Sequence, residues 1–393
     1  MAVILRGSAA GARSGLVLAA LACLLPGLGS AGPIDFEADG GGSASQWIAP
    51  ELREGPHHRV LEEVRVDGLT HVYTVESEFG SFEARGEAGV RQRIAEIEAL
   101  VALRDAAPEA KSPPPPQQTG PYGQTWPGMG GAVPTPAPDP TKVRVRFADL
   151  DAMKRAVAHE LSIDPYSDNE ALQQELQSHV WAVWNGGMHS PFVPAEEPGE
   201  DAASERAAGL LRDYSAEDLE LLNRLELAAM GVDEALRERF LEHPRYTPGE
   251  AARLVDALAE LESTEDRDAF IAAAAAATTA QEARGFQRLA ELMRRYHDET
   301  GDLHRFVAVE GRIAATTADG TLLVPVVADH AVWSAPVAAF AESVARAAGS
   351  DPELGKARVL VSGTLSERAR EEMQSLGLDV TERALEAASP PSE

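Results

Sequence analysis

The 393-residue chain carries 63 acidic against 35 basic side chains, a formal net charge of −28. An excess of that size repels phosphate-rich surfaces, which excludes nucleic acid and anionic lipid as partners and favours solubility, cationic partners or high-salt tolerance. A single cysteine, Cys23, excludes a disulfide framework, and the length accommodates two or three domains.

Residues 1–31 read as an export signal. Arg6 and Arg13 form a positive start, residues 16–25 (LVLAALACLL) are apolar but too short to span a bilayer, and Pro26-Gly27 breaks the run. Small residues Gly29-Ser30-Ala31 then suit a signal peptidase, which places cleavage near Ala31 and the mature start near Gly32. The mature chain would carry a net charge of about −30 and no thiol, removing cysteine nucleophiles and thiolate zinc sites. The alternative makes Cys23 the lipidated N-terminus of a bacterial lipoprotein. Ala20-Leu21-Ala22 before it and the apolar residues after it favour the cleaved leader. The expected address is periplasmic or secreted, and no later apolar run is long enough to make a transmembrane segment in the mature chain.

After a disordered lead-in (residues 32–56), residues 57–107 read as a three-stranded β-meander capped by one helix. Val60, Val64 and Val66 share a face, Asp67-Gly68 makes a hairpin turn, and Gly80-Ser81 makes a second turn that sets Phe79 opposite Phe82. Val90, Ile94, Ile97 and Val101 then form a helical stripe, with Glu96 lying off it. Residues 108–142 are a Pro/Gly-rich extended linker, in which Tyr122 and Trp126 are candidates for docking onto a partner. A helical region follows over residues 143–300. Ser167 with Glu170, Ser215 with Asp218, and Thr247-Pro248 with Glu250 supply N-terminal capping patterns, and Gly186 and Gly231 stop two helices.

The period switches from 3.6 to 2 after Gly301. Residues 305–309, 312–317 and 321–327 read as strands joined by Glu310-Gly311 and Asp319-Gly320 turns. A helix from Ser334, a buried strand 357–361, a helix 366–376 and a last strand 378–380 complete a small α/β domain with a parallel pair and a mixed sheet (residues 301–386), before a disordered tail (387–393). The fold class is therefore an α+β multi-module chain.

Residues 73–100 (YTVESEFGSFEARGEAGVRQRIAEIEAL), 160–176 (ELSIDPYSDNEALQQEL) and 359–380 (VLVSGTLSERAREEMQSLGLDV) resemble a group of exported bacterial proteins of unknown function. These strings touch all three modules and cover about a sixth of the chain, and the Pro-rich linker is shorter than the intervening segment expected in the group. The resemblance implies no activity, cofactor or catalytic residue.

The candidate metal ligands are His297, Asp298, Asp302 and His304, in a run that also contains Glu299. Their nitrogen and oxygen donors suit a divalent ion such as zinc, manganese or calcium, although the spacing matches no known motif; acids and histidines also gather at exposed helix–strand junctions. DPYSDNE (164–170) has calcium-like residue types, but turn formation and helix capping explain them. A hydrolase would recruit Asp329-His330 with Ser362 at the end of a buried strand, although no G-x-S-x-G pattern is present. His159-Glu160 lacks the second histidine of a metalloprotease helix, Trp181 and Trp184 read as core or interface anchors, and GMGG (128–131) sits in the linker without a flanking strand. The function expected is that of an exported, non-enzymatic module acting through an unidentified protein partner in the periplasm or outside the cell. The competing class is a metal-assisted hydrolase using the His297 to His304 cluster.

Overall fold

The computed structural model describes residues 48–61, 65–67, 70–106, 117–119, 125–127, 140–186, 202–301, 303–309, 311–350 and 354–384. The leader, Cys23, the lead-in up to residue 47 and the tail from 385 lie outside the described residues. The architecture is α+β: a small antiparallel sheet, then helices, then a mixed five-stranded sheet.

A 3₁₀ turn, Pro50–Leu52, precedes strands β1 (His58–Val60), β2 (Arg65–Asp67), β3 (Thr70–Ser77) and β4 (Gly80–Arg85). β1 and β2 lie end to end along one edge of β3, and β4 pairs with the other edge, so the sheet is three strands wide. The register of the second hairpin differs from the expected one. Ser77 opposes Gly80 and Val75 opposes Phe82, so Phe79 occupies the turn itself and does not face Phe82. Gly80 adopts a φ of +126°, so the strand begins at the glycine and the two-residue turn moves back to 78–79.

Helix α1 (Gly86–Asp105) buries Val90, Ile94 and Ile97 against the sheet, as its stripe predicts. It also buries a second row, Ala99, Leu100 and Leu103, against α2 (Pro140–Glu160) and α3 (Glu170–Gly186). That second contact encloses Glu96, 2% exposed, where one apolar stripe predicts a solvated acid. Between α1 and α2 the linker forms two short antiparallel strands, β5 (Gln117–Thr119) and β6 (Thr125–Pro127). α2 starts at Pro140, a residue suited to the first helical turn, three residues before the expected helical region.

Five helices follow: α4 (Ala202–Asp213), α5 (Ala216–Ala229), α6 (Glu234–Leu241), α7 (Pro248–Ala259) and α8 (Arg267–Ala274), then the long α9 (Ala280–Glu299). Both expected capping boxes form, at Ser215/Asp218 and Thr247/Glu250. The third expected cap shifts: Asn169 Oδ1 accepts the Leu172 N–H at 3.2 Å, while Ser167 turns its hydroxyl toward Glu96.

Strands β7 (Leu303–Val309), β8 (Arg312–Thr317) and β9 (Thr321–Val326) form the expected meander, followed by β10 (His330–Ala331), α10 (Ala335–Ser350), β11 (Lys356–Val361), β12 (Thr364–Leu365), α11 (Glu367–Ser375) and β13 (Leu378–Thr381). The sheet order is β13-β11-β9-β8-β7, with β9, β11 and β13 parallel. Val337, Phe340 and Val344 of α10 and Met373 of α11 cover one face. Phe270 of α8 and Leu292 and Met293 of α9 cover the other, packing against Phe306, Leu323 and Leu360. One core therefore runs through Gly301 from the helices into the sheet. Among the described residues no helix is long and apolar enough to cross a membrane.

Candidate functional site: an arginine-lined cleft

Parallel strands in open α/β sheets expose loops at their carboxyl ends, where ligands are commonly held. Here those loops are 327–330 after β9, 362–364 after β11 and 382–384 after β13. Gly363 lets two of them meet: a Cβ there would lie 2.1 Å from the Asp329 carbonyl oxygen and 2.5 Å from that of Ala328. At the third, Arg383 holds a φ of +53°, a left-handed conformation unfavourable for a side chain with a Cβ, while its N–H donates to Gly363 O at 2.7 Å.

The N-terminal module closes over this edge through Asp329. Its carboxylate accepts the His330 N–H at 2.8 Å, the His71 N–H at 3.1 Å and the Tyr73 hydroxyl at 3.0 Å, and His71 Nδ1 lies 3.1 Å from Oδ1. The His71 and Asp329 side chains are 4% and 2% exposed. Burial, reinforced by the Asp329 charge, pushes the Tyr73 phenol well above its ordinary value of 10, so it remains a donor.

The residues of the hydrolase expectation do converge here, but in other pairings. Both hydrogen bonds of the Ser362 hydroxyl go to Ala328, accepting its N–H at 3.0 Å and donating to its carbonyl at 2.8 Å. His330 Nδ1 meets Thr364 Oγ1 at 2.8 Å, and the Asp329 carboxylate meets the ring of His71. Nucleophile, base and orienting acid thus each serve a loop contact.

Three adjoining cavities of about 380, 260 and 790 Å³ run from this edge along the groove between α1 and α9. Arg288 of α9 lines all three. The 380 Å³ cavity gathers Arg85, Arg93, Arg284, Arg288 and Arg312 against Glu83 and Glu282. Glu282 is committed to the Thr278 N–H and hydroxyl, at 2.6 and 2.8 Å. The 790 Å³ cavity gathers Arg53, Arg91, Arg288 and Arg383 against Glu87 and Asp329. Glu87 is taken up by the Ala49 N–H at 3.1 Å and by Arg91.

Arg93 and Arg284 are held in a polar network at the inner end. Glu96 accepts from Ser167 Oγ at 2.7 Å, Asn169 Nδ2 at 3.0 Å, Gln92 Nε2 at 3.2 Å and Arg93 Nη1 at 2.7 Å. Arg93 and Arg284 both reach Asp168, and Arg284 Nε donates to Glu250 at 2.8 Å. Arg288 differs. Among the described residues it has no hydrogen bond and no carboxylate within ion-pair distance, although it is half-buried. Burial and the neighbouring Arg284 charge lower its pKa, against the pull of Glu291 and Glu250.

DPYSDNE is thus absorbed by structure: Asp164 turns the chain by accepting the Tyr166 N–H at 2.7 Å, and Asp168 bridges two arginines. Burial alone would raise the Asp168 carboxyl, but Arg284 and Arg93 draw it below its ordinary 3.8. A carboxyl depressed on folding stabilises above its unfolded pKa and ceases to do so as pH falls through the folded one. The difference in urea midpoint between wild type and Asp168→Asn should therefore hold above pH 3.8 and close below it; a pH-independent difference would contradict the bridge.

The metal candidates fall at the far end of α9. Asp298 pairs with Arg294 and Glu299 with Arg295, each at 2.8 Å, and His297 Nδ1 accepts the Leu303 N–H at 3.3 Å. His304 is exposed on β7, and Asp302 lies outside the described residues. Among the described residues no three His, Cys, Asp or Glu side chains are grouped to share an ion. Trp181 and Trp184 pack half-buried against the α1–α3 core, and His159-Glu160 is half-buried at the end of α2. The Trp126 side chain, Tyr122 and residues 128–131 are outside the described residues.

Glu96, Arg288, His71 and Tyr73 were not singled out by the sequence. For Glu96 a signal existed: Leu100 and Leu103 follow it at i+4 and i+7, a second apolar row. No known protein family, curated protein or solved structure matches this chain.

Proposed function

We propose that this chain is an exported, non-enzymatic binding protein whose arginine-lined cleft takes an anionic group, carboxylate or phosphoryl, of its ligand. The observation that carries this reading is Arg288, a half-buried guanidinium at the junction of three cavities that among the described residues has no carboxylate in ion-pair contact, Glu291 and Glu250 acting on it only from a distance, in a chain with almost twice as many acids as bases. The planar fork of a guanidinium matches both anion types, and its attraction strengthens away from bulk water. Of the acids that share the two outer cavities, Glu87, Glu282 and Asp329 are turned to internal donors, while Glu83 remains beside the arginines. The non-enzymatic part is supported by the commitment of Ser362 and His330 to loop contacts. The export part is supported by the leader pattern of residues 1–31.

Thermal melting with citrate, pyrophosphate and chloride at matched ionic strength tests it. A ligand at 100 times its Kd adds about 2.7 kcal/mol to the folded state, a rise of several degrees. The rise should occur with a polyvalent anion, be absent with chloride and vanish in Arg288→Gln. An equal rise in the variant, or none with any anion, would overturn the reading.

A further inference from the structure

The chain contains 31 arginines but only four lysines: Lys111, Lys142, Lys154 and Lys356. Cationic duties are given to arginine almost everywhere, and of the two lysines whose burial is described, Lys356 is exposed and Lys154 is buried. Lys154 of α2 is 7% exposed and lines a cavity of about 860 Å³ between α3, α5 and the start of α7, which borders the 260 Å³ cavity of the arginine cleft at Ser167, Asp168 and Thr247 but does not include Arg288. Its amine donates to Gln173 Oε1, and among the described residues no carboxylate stands within ion-pair distance of it. Gln173 is itself fixed, its Nε2 donating to Pro165 O at 3.1 Å. A buried ammonium with one neutral partner is an expensive way to hold a helix in place, whereas a buried amine facing a cavity is a nucleophile. Burial lowers the Lys154 pKa, with Asp151 and Asp164 acting in the opposite direction.

The lining defines what the amine would meet. Gln174, Gln177 and Asn223 offer amide donors and acceptors, and Tyr166 and Tyr246 offer flat apolar faces. Glu170 and Glu217 supply negative charge around them, beside Asp168 and Glu220, which are paired with arginines, and this lining disfavours a carbonyl compound bearing a carboxylate or phosphate.

We propose that Lys154 is a covalent binding site for a neutral polyhydroxy aldehyde, such as an open-chain sugar. Nζ gives up its ammonium proton to solvent and its lone pair adds to the carbonyl carbon to give a carbinolamine; a proton taken back from solvent carries the hydroxyl away as water and leaves the protonated imine. No oxidant or reductant takes part, and hydrolysis reverses the step.

Incubation of the full chain with glyceraldehyde and cyanoborohydride, which reduces the imine to a stable secondary amine, followed by peptide mapping, tests the proposal. The expected result is an adduct several-fold more abundant at Lys154 than at exposed Lys356, with pyruvate giving no such preference. Lys154→Met should lose that adduct and keep the others. Because the wild-type map stands alone, a variant that misfolds leaves the test intact. Equal labelling of the lysines, labelling weaker at Lys154 than at Lys356, or the same preference with pyruvate would overturn the proposal.

Discussion

Asp329→Ala should destabilise the protein by about 3–5 kcal/mol, the usual consequence of removing one partner from a buried, hydrogen-bonded ionisable pair. The substitution strands the His71 N–H, the Tyr73 hydroxyl and the His330 N–H at once, all in a region with little access to water. The loss should also be local. Asp329 sits in the loop after β9 but receives the His71 and Tyr73 donors from β3, so amide exchange in β3 should accelerate more than exchange in β8 and β9. Tyr73→Phe removes a single donor and should lose only about 1–2 kcal/mol. Urea unfolding with hydrogen exchange measures both quantities. A loss below 1 kcal/mol, or uniform acceleration across the fold, would show that Asp329 does not hold the two parts together.

Glu96→Ala should have an effect of similar size, about 3–5 kcal/mol, for a different reason. The carboxylate collects Ser167, Asn169, Gln92 and Arg93, so it ties α1 to the loop that starts α3. Its loss leaves buried donors on two elements without an acceptor. Glu96→Gln keeps the shape and one oxygen but gives up the charge opposite Arg93, and should fall between wild type and alanine. Equal urea midpoints for alanine and glutamine would mean that shape alone matters there.

The fold was largely legible where one physical signal dominated. In residues 303–326 short β-prone runs and glycines at both turns left one arrangement, and β7, β8 and β9 follow it within two residues. The Ser215 and Thr247 capping boxes formed because hydroxyl and carboxylate stand three apart before an apolar run. Competing uses of one residue defeated the reading elsewhere. Ser167 has cap-like spacing, yet Asn169 takes the helix terminus and frees the hydroxyl for Glu96. Phe79 looked like a strand residue, but positive φ at Gly80 fixes the turn two positions earlier, at 78–79. Helix α1 touches both a sheet and a helix pair, and a single stripe describes only one of those contacts.

The cleft was less legible for a further reason. Arg288 lies on α9 within one turn of Arg284 and Glu291, a spacing that reads as an ordinary solvated face. Only the approach of α1 and the strand ends from distant parts of the chain turns that face into a wall. The His71 and Tyr73 contacts with Asp329 span more than 250 residues and have no local signature.

Calorimetric titration of the full chain with pyrophosphate at neutral pH, beside Arg288→Gln, tests the cleft most directly. The account predicts saturable one-to-one binding in wild type, weakened by added salt and abolished in the variant. Binding of the same affinity and stoichiometry in both proteins would contradict it.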